Sequence, residues 1–123
     1  DLDLSGNVVG GEGTKNIADA LSNLTKLTSL NLNLESNIIG GEGAMKLAKT
    51  LLELNSLKTL NLNLLRNNIR NNGAEKITKI TEEFVKKRQV DFLRLHIIDE
   101  ELSNDISEAN QWHISNVDFY LDF

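Results

Sequence analysis

The sequence predicts an α/β solenoid, in which parallel strands form one face and helices form the opposite face. Two observations lead to this prediction. A residue pattern recurs at an interval of 30 residues, and within each unit the hydrophobic spacing changes from two residues to three and four. A single strand–helix unit cannot bury both of its apolar surfaces alone, so such units are expected to stack into one continuous core.

Separate blocks of sequence agree on this interval. The segment Leu-Asn-Leu-Asn-Leu at 30–34 returns at 60–64, and Gly-Gly-Glu-Gly at 10–13 returns at 40–43. The same shift also aligns the hydrophobic positions of the intervening segments. Independent blocks that share one shift identify a true internal repeat.

Each unit begins with a strand. Leu30, Leu32 and Leu34 alternate with polar residues, which is the two-residue period of a strand with one buried face. Because successive side chains of a strand point to opposite faces, Asn31 and Asn33 are expected to point away from the core.

A helix follows the strand. Ala44, Leu47 and Leu51 lie at three- and four-residue spacing, which forms the apolar stripe of an amphipathic helix. Gly40 and Gly43 flank the turn and the helix start, where a residue without a side chain gives the backbone freedom. One unit is therefore a strand, a turn, a helix and a return.

The third unit departs from the regular interval. Val90, Leu93, Leu95 and Ile97 repeat the spacing of the preceding strand with an offset of 33 instead of 30. This offset predicts an insertion of three residues within 84–89.

The strand spacing returns near the end of the sequence at Ile114, Val117, Phe119 and Leu121. It predicts a final strand at 117–121 that continues the sheet, reached through a shorter connection in which Ser103 caps a short helix. The predicted units are therefore 1–29, 30–59, 60–92 and 93–116, followed by this strand.

The run from Leu27 to Gly40, with the Glu-Gly-Ala that follows at 42–44, resembles leucine-rich repeats of the ribonuclease-inhibitor type. It is also similar to repeats common in ciliate proteins. The resemblance implies a leucine-rich-repeat solenoid, a horseshoe segment with parallel strands on the concave face and helices on the convex face. It further implies a structural ladder of asparagines that follow the strands and hydrogen-bond to the neighbouring turn: Asn7, Asn37 and Asn67. A buried amide suits that role because it both donates and accepts.

Composition narrows the class of protein. The 123 residues suffice for one small domain, and no stretch of about 18 apolar residues predicts a membrane helix. The sequence contains no cysteine, which favours a reducing compartment. We therefore expect a cytoplasmic location, including a cytoskeletal or ciliary one, and no contact with a membrane.

Charge is unevenly distributed. Residues 65–94 hold eight Lys and Arg against four Asp and Glu, whereas 99–123 hold seven Asp and Glu and no Lys or Arg. The basic run at 86–88 is short and lacks the stacking aromatic residues of a nucleic-acid surface. We expect no nucleic-acid partner.

Two features superficially suggest chemistry. Gly6 to Lys15 loosely resembles a phosphate-binding loop, but the order Gly-Lys-Ser/Thr is absent and the segment recurs at 40–46 as part of the repeat. The only histidines, His96 and His113, lack the spacing of metal ligands. We therefore assign no catalytic, cofactor-binding or metal-binding residue and expect no enzymatic activity.

The candidate binding surface is the concave face, where outward residues of neighbouring strands line up. Aromatic residues and arginine, which commonly anchor interfaces, gather toward its C-terminal strands. The residues assigned to this face are Asn31, Asn33, Asn61, Asn63, Phe92, Arg94, His96, Asp118 and Tyr120. The convex helices and the ends of the solenoid are alternative surfaces.

The predicted function is a non-catalytic protein–protein interaction or scaffold module, acting within a larger assembly or multidomain chain. The expected partner is another protein. The family resemblance leaves two alternatives: a regulator of an enzyme, such as a small-GTPase activator, or the repeat segment of a kinase-containing protein.

Overall fold

The computed structural model describes residues 1–87, 91–97, 111–114 and 117–120. In the first of these ranges, strands and helices alternate along the chain. The elements are β1 (Leu2–Asp3), α1 (Gly10–Leu21), β2 (Ser29–Asn33), α2 (Gly40–Leu52), β3 (Thr59–Asn63) and α3 (Asn71–Lys87), then β4 (Phe92–His96), β5 (Gln111–Ile114) and β6 (Val117–Tyr120).

The first four strands form one parallel sheet in the order β1-β2-β3-β4. Leu32 lies opposite Leu62, and Leu62 lies opposite Leu95, so the pairing offset is 30 and then 33. The longer offset coincides with a longer helix, since α3 has 17 residues and α2 has 13. Parallel strands joined by helices confirm the predicted α/β repeat solenoid.

The core lies between the sheet and the helices. Leu32 and Leu62 are each 1% exposed, and Leu47 and Ile77 on the helices are fully buried. The predicted inward face is therefore correct for β2, β3 and β4. Burying one such side chain contributes about 1.5–3 kcal/mol, so these alternating leucines add substantially to stability.

Glycines allow neighbouring helix starts to approach closely. A Cβ at Gly43 would lie 3.2 Å from the Cα of Gly11, and a Cβ at Gly73 would lie 3.2 Å from the Cα of Gly41. Such contacts are too short for a side chain without a backbone shift. The first turns of successive helices therefore pack backbone to backbone.

The helix starts rely on backbone hydrogen bonds. Gly40 has φ 75°, a conformation that only glycine adopts readily, and its N–H donates to the carbonyl of Asn67 at 2.8 Å. Gly10 has φ 70° and donates to Asn37 in the same way at 2.9 Å. In the third unit Arg70 stands at this position, and α3 begins one residue later.

The C-terminal segment differs from the prediction. β5 and β6 pair antiparallel, with Trp112 opposite Phe119 and Ile114 opposite Val117. The predicted continuation of the parallel sheet by a strand at 117–121 is therefore wrong, although β6 lies near β4. Two residues separate β5 from β6, a length that suits an antiparallel hairpin, whereas a parallel crossover needs a dozen or more.

This pairing changes the position of two candidate residues. Asp118 and Tyr120 lie on β6 of the hairpin and not on a fifth parallel strand of the concave sheet. The helix predicted after Ser103 falls outside the described residues. The unit boundaries at 29, 59, 92 and 116 stay a prediction.

Candidate functional site

The outer face of β2, β3 and β4 is a continuous surface. The residues that alternate with the buried leucines are brought together by the strand register in three rows. The rows are Ser29–Thr59–Phe92, Asn31–Asn61–Arg94 and Asn33–Asn63–His96. Neighbouring strands of a sheet lie about 4.8 Å apart, so side chains within a row are adjacent.

Exposure varies along this surface. Asn31 is exposed, whereas Asn61 and Arg94 in the same row are partly buried. The guanidinium carbon of Arg94 lies 5.3 Å from the centre of the Phe92 ring, within the range of a cation–π interaction. The C-terminal strand of the sheet therefore presents an arginine already stacked on an aromatic ring.

The third row also has a structural role that sequence reasoning missed. Asn33 Oδ1 accepts a hydrogen bond from the backbone N–H of Glu35, and Asn63 Oδ1 accepts one from that of Leu65, both at 3.0 Å. Asp3 does the same at the end of β1, accepting from Ser5 N–H at 2.9 Å. These side chains form Asx turns that end each strand.

The carboxylate of Asp3 is stabilised by this arrangement. Hydrogen bonds from the Ser5 side chain and backbone hold the pKa of Asp3 below its ordinary value of 3.8, and a smaller contribution comes from the side chain of Asn33. The carboxyl is fully exposed, so solvent screens the effect on stability.

Further charges meet beside the third row. Asn63 Nδ2 donates to Glu35 Oε2 at 3.2 Å, and the other carboxylate oxygen of Glu35 lies 3.7 Å from Arg66 Nη1. Both partners of the ion pair are partly exposed, so its contribution to stability is small. The hydrogen bond from Asn63 and this ion pair place Glu35 at the edge of the concave face.

The asparagines after the strands join successive units. Asn37 is fully buried; its Nδ2 donates to the carbonyls of Leu4 and Leu34 at 2.9 and 3.0 Å, and its Oδ1 accepts from Val9 N–H at 3.3 Å. Asn67, which is 1% exposed, makes the equivalent bonds in the next unit. Its Nδ2 donates to the backbone carbonyl of Leu34 at 2.7 Å. One amide thus satisfies backbone groups of two turns.

Asn7 stands at the start of this series. It is exposed, and its Nδ2 donates to the carbonyls of Leu4 and Ser5 within its own turn. It therefore closes one turn, whereas Asn37 and Asn67 link two.

Left-handed backbone conformations border the concave face. Ile38 has φ 58° and the equivalent Asn68 has φ 63°. Asparagine tolerates this region, but a β-branched residue is strained there. Ile38 is also 64% exposed, so burial of its side chain offsets little of the strain.

In the glycine-rich segment that resembles a phosphate-binding loop, the polar side chains of Thr14 and Lys15 contact other groups of the protein. Thr14 is fully buried and its hydroxyl donates to the carbonyl of Gly10 at 2.7 Å. Lys15 Nζ lies 3.8 Å from Glu12 and 3.9 Å from Glu42. Both polar side chains that such a loop would direct at a phosphate are directed at the protein instead.

Within the described ranges, no group of three or more His, Cys, Asp and Glu side chains is arranged to hold a metal ion. The same residues contain no helix with the length and apolar character needed to cross a membrane.

Part of the chain matches a known family. A family model described as Leucine Rich repeat matches residues 1–18 and 23–48. Neither the curated proteins nor the solved structures give a match. The matched segments contain β1, β2 and most of α1 and α2, which are the regular part of the sheet-and-helix stack. The matched segments are similar to leucine-rich repeats, and the parallel sheet whose strands are joined by helices has the fold of an α/β repeat solenoid.

Proposed function

We propose that this chain is a non-catalytic module whose concave face binds another protein and serves as a scaffold within a larger assembly. Leucine-rich repeats generally mediate protein–protein interaction and are typically non-catalytic. The observation that carries the proposal is the continuous outer face of β2–β4, which ends in the stacked pair Phe92 and Arg94.

The three rows provide two kinds of contact. Asn31 offers an exposed amide that can both donate and accept hydrogen bonds with a partner. Phe92 and Arg94 belong to residue types that dominate binding energy, and their stacking already fixes both side chains in the free protein. Side chains that are held in place before binding lose less entropy when the complex forms.

Two finer assignments accompany this proposal. Helices of 12 to 17 residues between the strands support the ribonuclease-inhibitor-like subclass. The cysteine-free sequence supports an intracellular location, because reducing compartments do not select for disulfides.

Site-specific photo-crosslinking tests the proposal. Benzoylphenylalanine replaces Asn31 on the concave face or, as a matched control, Asn16 on α1; both asparagines are exposed. We expect a discrete protein adduct from position 31 in extracts of the source cells and none from position 16. Excess unlabelled chain should suppress the adduct, and the Phe92→Ala/Arg94→Ala chain should not.

The opposite result is equally clear. The proposal would be wrong if adducts formed from position 16 alone. It would also be wrong if the double variant suppressed the position-31 adduct as effectively as the unsubstituted chain. Far-UV circular dichroism of the double variant establishes that its fold is retained.

A further inference from the structure

The end of the solenoid formed by β1 and α1 leaves apolar residues of the repeat uncovered. Leu2 is 48% exposed, whereas the equivalent Leu32 in the next unit is 1% exposed. Leu24 is also 48% exposed, and its equivalent Leu54 is buried. The same contrast holds for four partly buried residues of the first unit whose equivalents 30 residues on are buried: Leu4, Ile17, Leu21 and Leu27. The first unit therefore has the side chains of an inner unit, but within the described residues only one of its two faces is covered.

Asn7 has the orientation of the asparagines that link two units. Asn37 and Asn67 each accept a backbone N–H of the preceding unit at Oδ1, from Val9 at 3.3 Å and from Asn37 at 2.7 Å. The Nδ2 of Asn7 makes the same two bonds within its own turn that Asn37 makes. No residue in the described part of the chain donates to Oδ1 of Asn7. By its equivalence to Asn37, this acceptor belongs to a turn on the uncovered side.

Backbone groups of the turns form the second part of each junction. The N–H of Gly10 donates to the carbonyl of Asn37 at 2.9 Å, and the N–H of Gly40 donates to that of Asn67 at 2.8 Å. By the shift of 30, the carbonyl of Asn7 is the acceptor for a unit before β1, and none of the described residues donates to it. The first turn thus presents two acceptors that the later turns use between units.

The start of α1 also has the glycine that a neighbouring helix requires. A Cβ at Gly43 would lie 3.2 Å from the Cα of Gly11, so the missing side chain is what lets α1 and α2 approach. Gly13 is the equivalent residue of α1. Apart from its chain neighbours and its own helix backbone, a Cβ there would come within 4 Å of Val9 alone among the described residues. Gly13 therefore leaves room for a helix on the uncovered side.

We propose that the end formed by β1 and α1 is a docking surface for one more strand–helix unit of the same repeat type, carried ahead of β1 on the same polypeptide. The strand of that unit runs parallel to β1, and its helix packs on α1 with a glycine opposite Gly13. Its turn donates backbone N–H groups to Oδ1 and the carbonyl of Asn7, and its apolar residues cover Leu2 and Leu24.

Continuity with the existing junctions favours this occupant. Residue by residue, the surface is equivalent to the faces of the later units that pack on α1 and α2, and stacking on such neighbours is how repeat units gain stability. β6 lies near β4 at the other end of the sheet, whereas β1 is hydrogen-bonded to β2 alone among the described strands. The docking surface lies at the end of the sheet and not on its concave face, so it stands independently of the function proposed above.

A second copy of the chain fits this surface less well. Twofold symmetry that continues the sheet, with both helices on one side, sets the two β1 strands antiparallel. The two Asn7 turns would then lie at opposite ends of the contact, and their acceptors would remain unused. Asp1 and Asp3 of both chains would also adjoin, and like charges on neighbouring strands are destabilising.

The test places a duplicate of residues 1–30 directly ahead of Asp1, which continues the interval of the repeat. The matched control carries the same residues in scrambled order. Thermal unfolding followed by circular dichroism compares both chains with the original. We expect the in-phase extension to raise Tm by at least about 4 °C and the scrambled extension to change it by less than about 1 °C.

Asn7→Ala, made in the original and the in-phase chain, tests the predicted junction itself. In the original chain the variant loses bonds within one exposed turn, whereas in the extended chain it also removes an acceptor between units. The loss in Tm should therefore be larger by at least about 3 °C in the extended chain. Asn31→Ala is the control, because Asn31 is exposed on the concave face and its replacement should have the same small effect in both chains.

Peptide mapping of the protein from its source cells tests where the unit comes from. Peptides that contain Asp1 should extend into a preceding segment with leucines at the intervals of the repeat. Asp1 at the natural N-terminus, or joined to a segment without that pattern, would overturn the proposal.

Three results with the purified chains would also overturn it. The in-phase and scrambled extensions give the same Tm, or Asn7→Ala costs the same in both chains, or the original chain sediments as a dimer that Leu2→Asp dissociates. The last result assigns this end of the solenoid to a second copy.

Discussion

Asn67 Oδ1 accepts a hydrogen bond of 2.7 Å from the backbone N–H of Asn37. The two residues occupy the same position in successive units, so the side chain of one unit fixes the turn of the unit before it. Since both are buried, water cannot replace this bond. The series of asparagines is therefore a second connection between units, in addition to the sheet.

Asn67→Ala should be strongly destabilising. It removes the acceptor for the buried backbone N–H groups of Asn37 and Ile39, and each buried group left unpaired costs about 1–3 kcal/mol. Urea unfolding measures the free energy of unfolding. Asn7→Ala is the control, because Asn7 is exposed and bonds within its own turn; equal losses for both variants would contradict the argument.

Asn33→Ala and Asn31→Ala should differ in their effect on the free energy of unfolding, although the two residues lie only two positions apart on β2. Asn33 Oδ1 accepts from Glu35 N–H at 3.0 Å, and loss of that bond should cost about 0.5–1.5 kcal/mol. Asn31 is exposed, so its replacement should change stability by less than about 0.5 kcal/mol. Chemical denaturation of the two variants under identical conditions makes the comparison.

Ile38→Asn should stabilise the protein. The substitution places in the second unit the residue that adopts φ 63° at the equivalent position of the third, and relief of strain of this kind is worth about 1 kcal/mol. Little burial is lost because Ile38 is 64% exposed. Val8→Asn is the matched control, since Val8 is 84% exposed and its φ is not positive. A gain of similar size at Val8 would show that removal of an exposed apolar side chain, and not backbone strain, is the cause.

Lowering the pH should destabilise the first turn, because the carboxylate of Asp3 becomes protonated. Its pKa is lowered in the folded chain, so the carboxylate contributes stability at pH values above its ordinary 3.8, and this contribution disappears as the pH falls through the lower, folded pKa. Ser5→Ala removes the largest cause of the shift and should raise the pKa of Asp3 toward its ordinary value. Carbon-13 NMR of the Asp3 carboxyl follows the titration. An unchanged midpoint in the variant would show that the Ser5 side chain does not cause the lowered pKa of Asp3.

The regular units were predictable because hydrophobic period is a local property of the sequence. Alternation at Leu30, Leu32 and Leu34 identified both the strand and its buried side, and the spacing of Leu47 and Leu51 identified the helix that covers it. The register followed from the shift of 30, and the change to 33 correctly located β4 opposite β3.

The C-terminal segment was mispredicted because alternation does not specify the direction of pairing. Val117 and Phe119 have the spacing of a strand with one buried side, and that spacing is the same in a parallel sheet and in a hairpin. The direction depends on the connection, and the short separation between Ile114 and Val117 was the available signal for an antiparallel turn.

Side-chain hydrogen bonds were only partly predictable. The periodicity placed Asn33 and Asn63 on the outer face but gave no sign that their oxygens end the strands. Asp3 at the equivalent position was a usable clue, because Asp and Asn share the ability to form such turns. The positive φ of Ile38 had no signal in the residue itself.

The repeated contact between helix starts has a consequence for how such a chain can change in length. Gly43 against Gly11 and Gly73 against Gly41 are copies of one junction, because an added Cβ on Gly43 or Gly73 would lie 3.2 Å from the facing Cα in both cases. An additional copy of a 30-residue unit, inserted in phase, would meet both neighbours through contacts that already exist and would need no new core. The concave surface would then grow by one strand spacing of about 4.8 Å, so duplication of a single segment of the gene would enlarge the binding face in fixed increments.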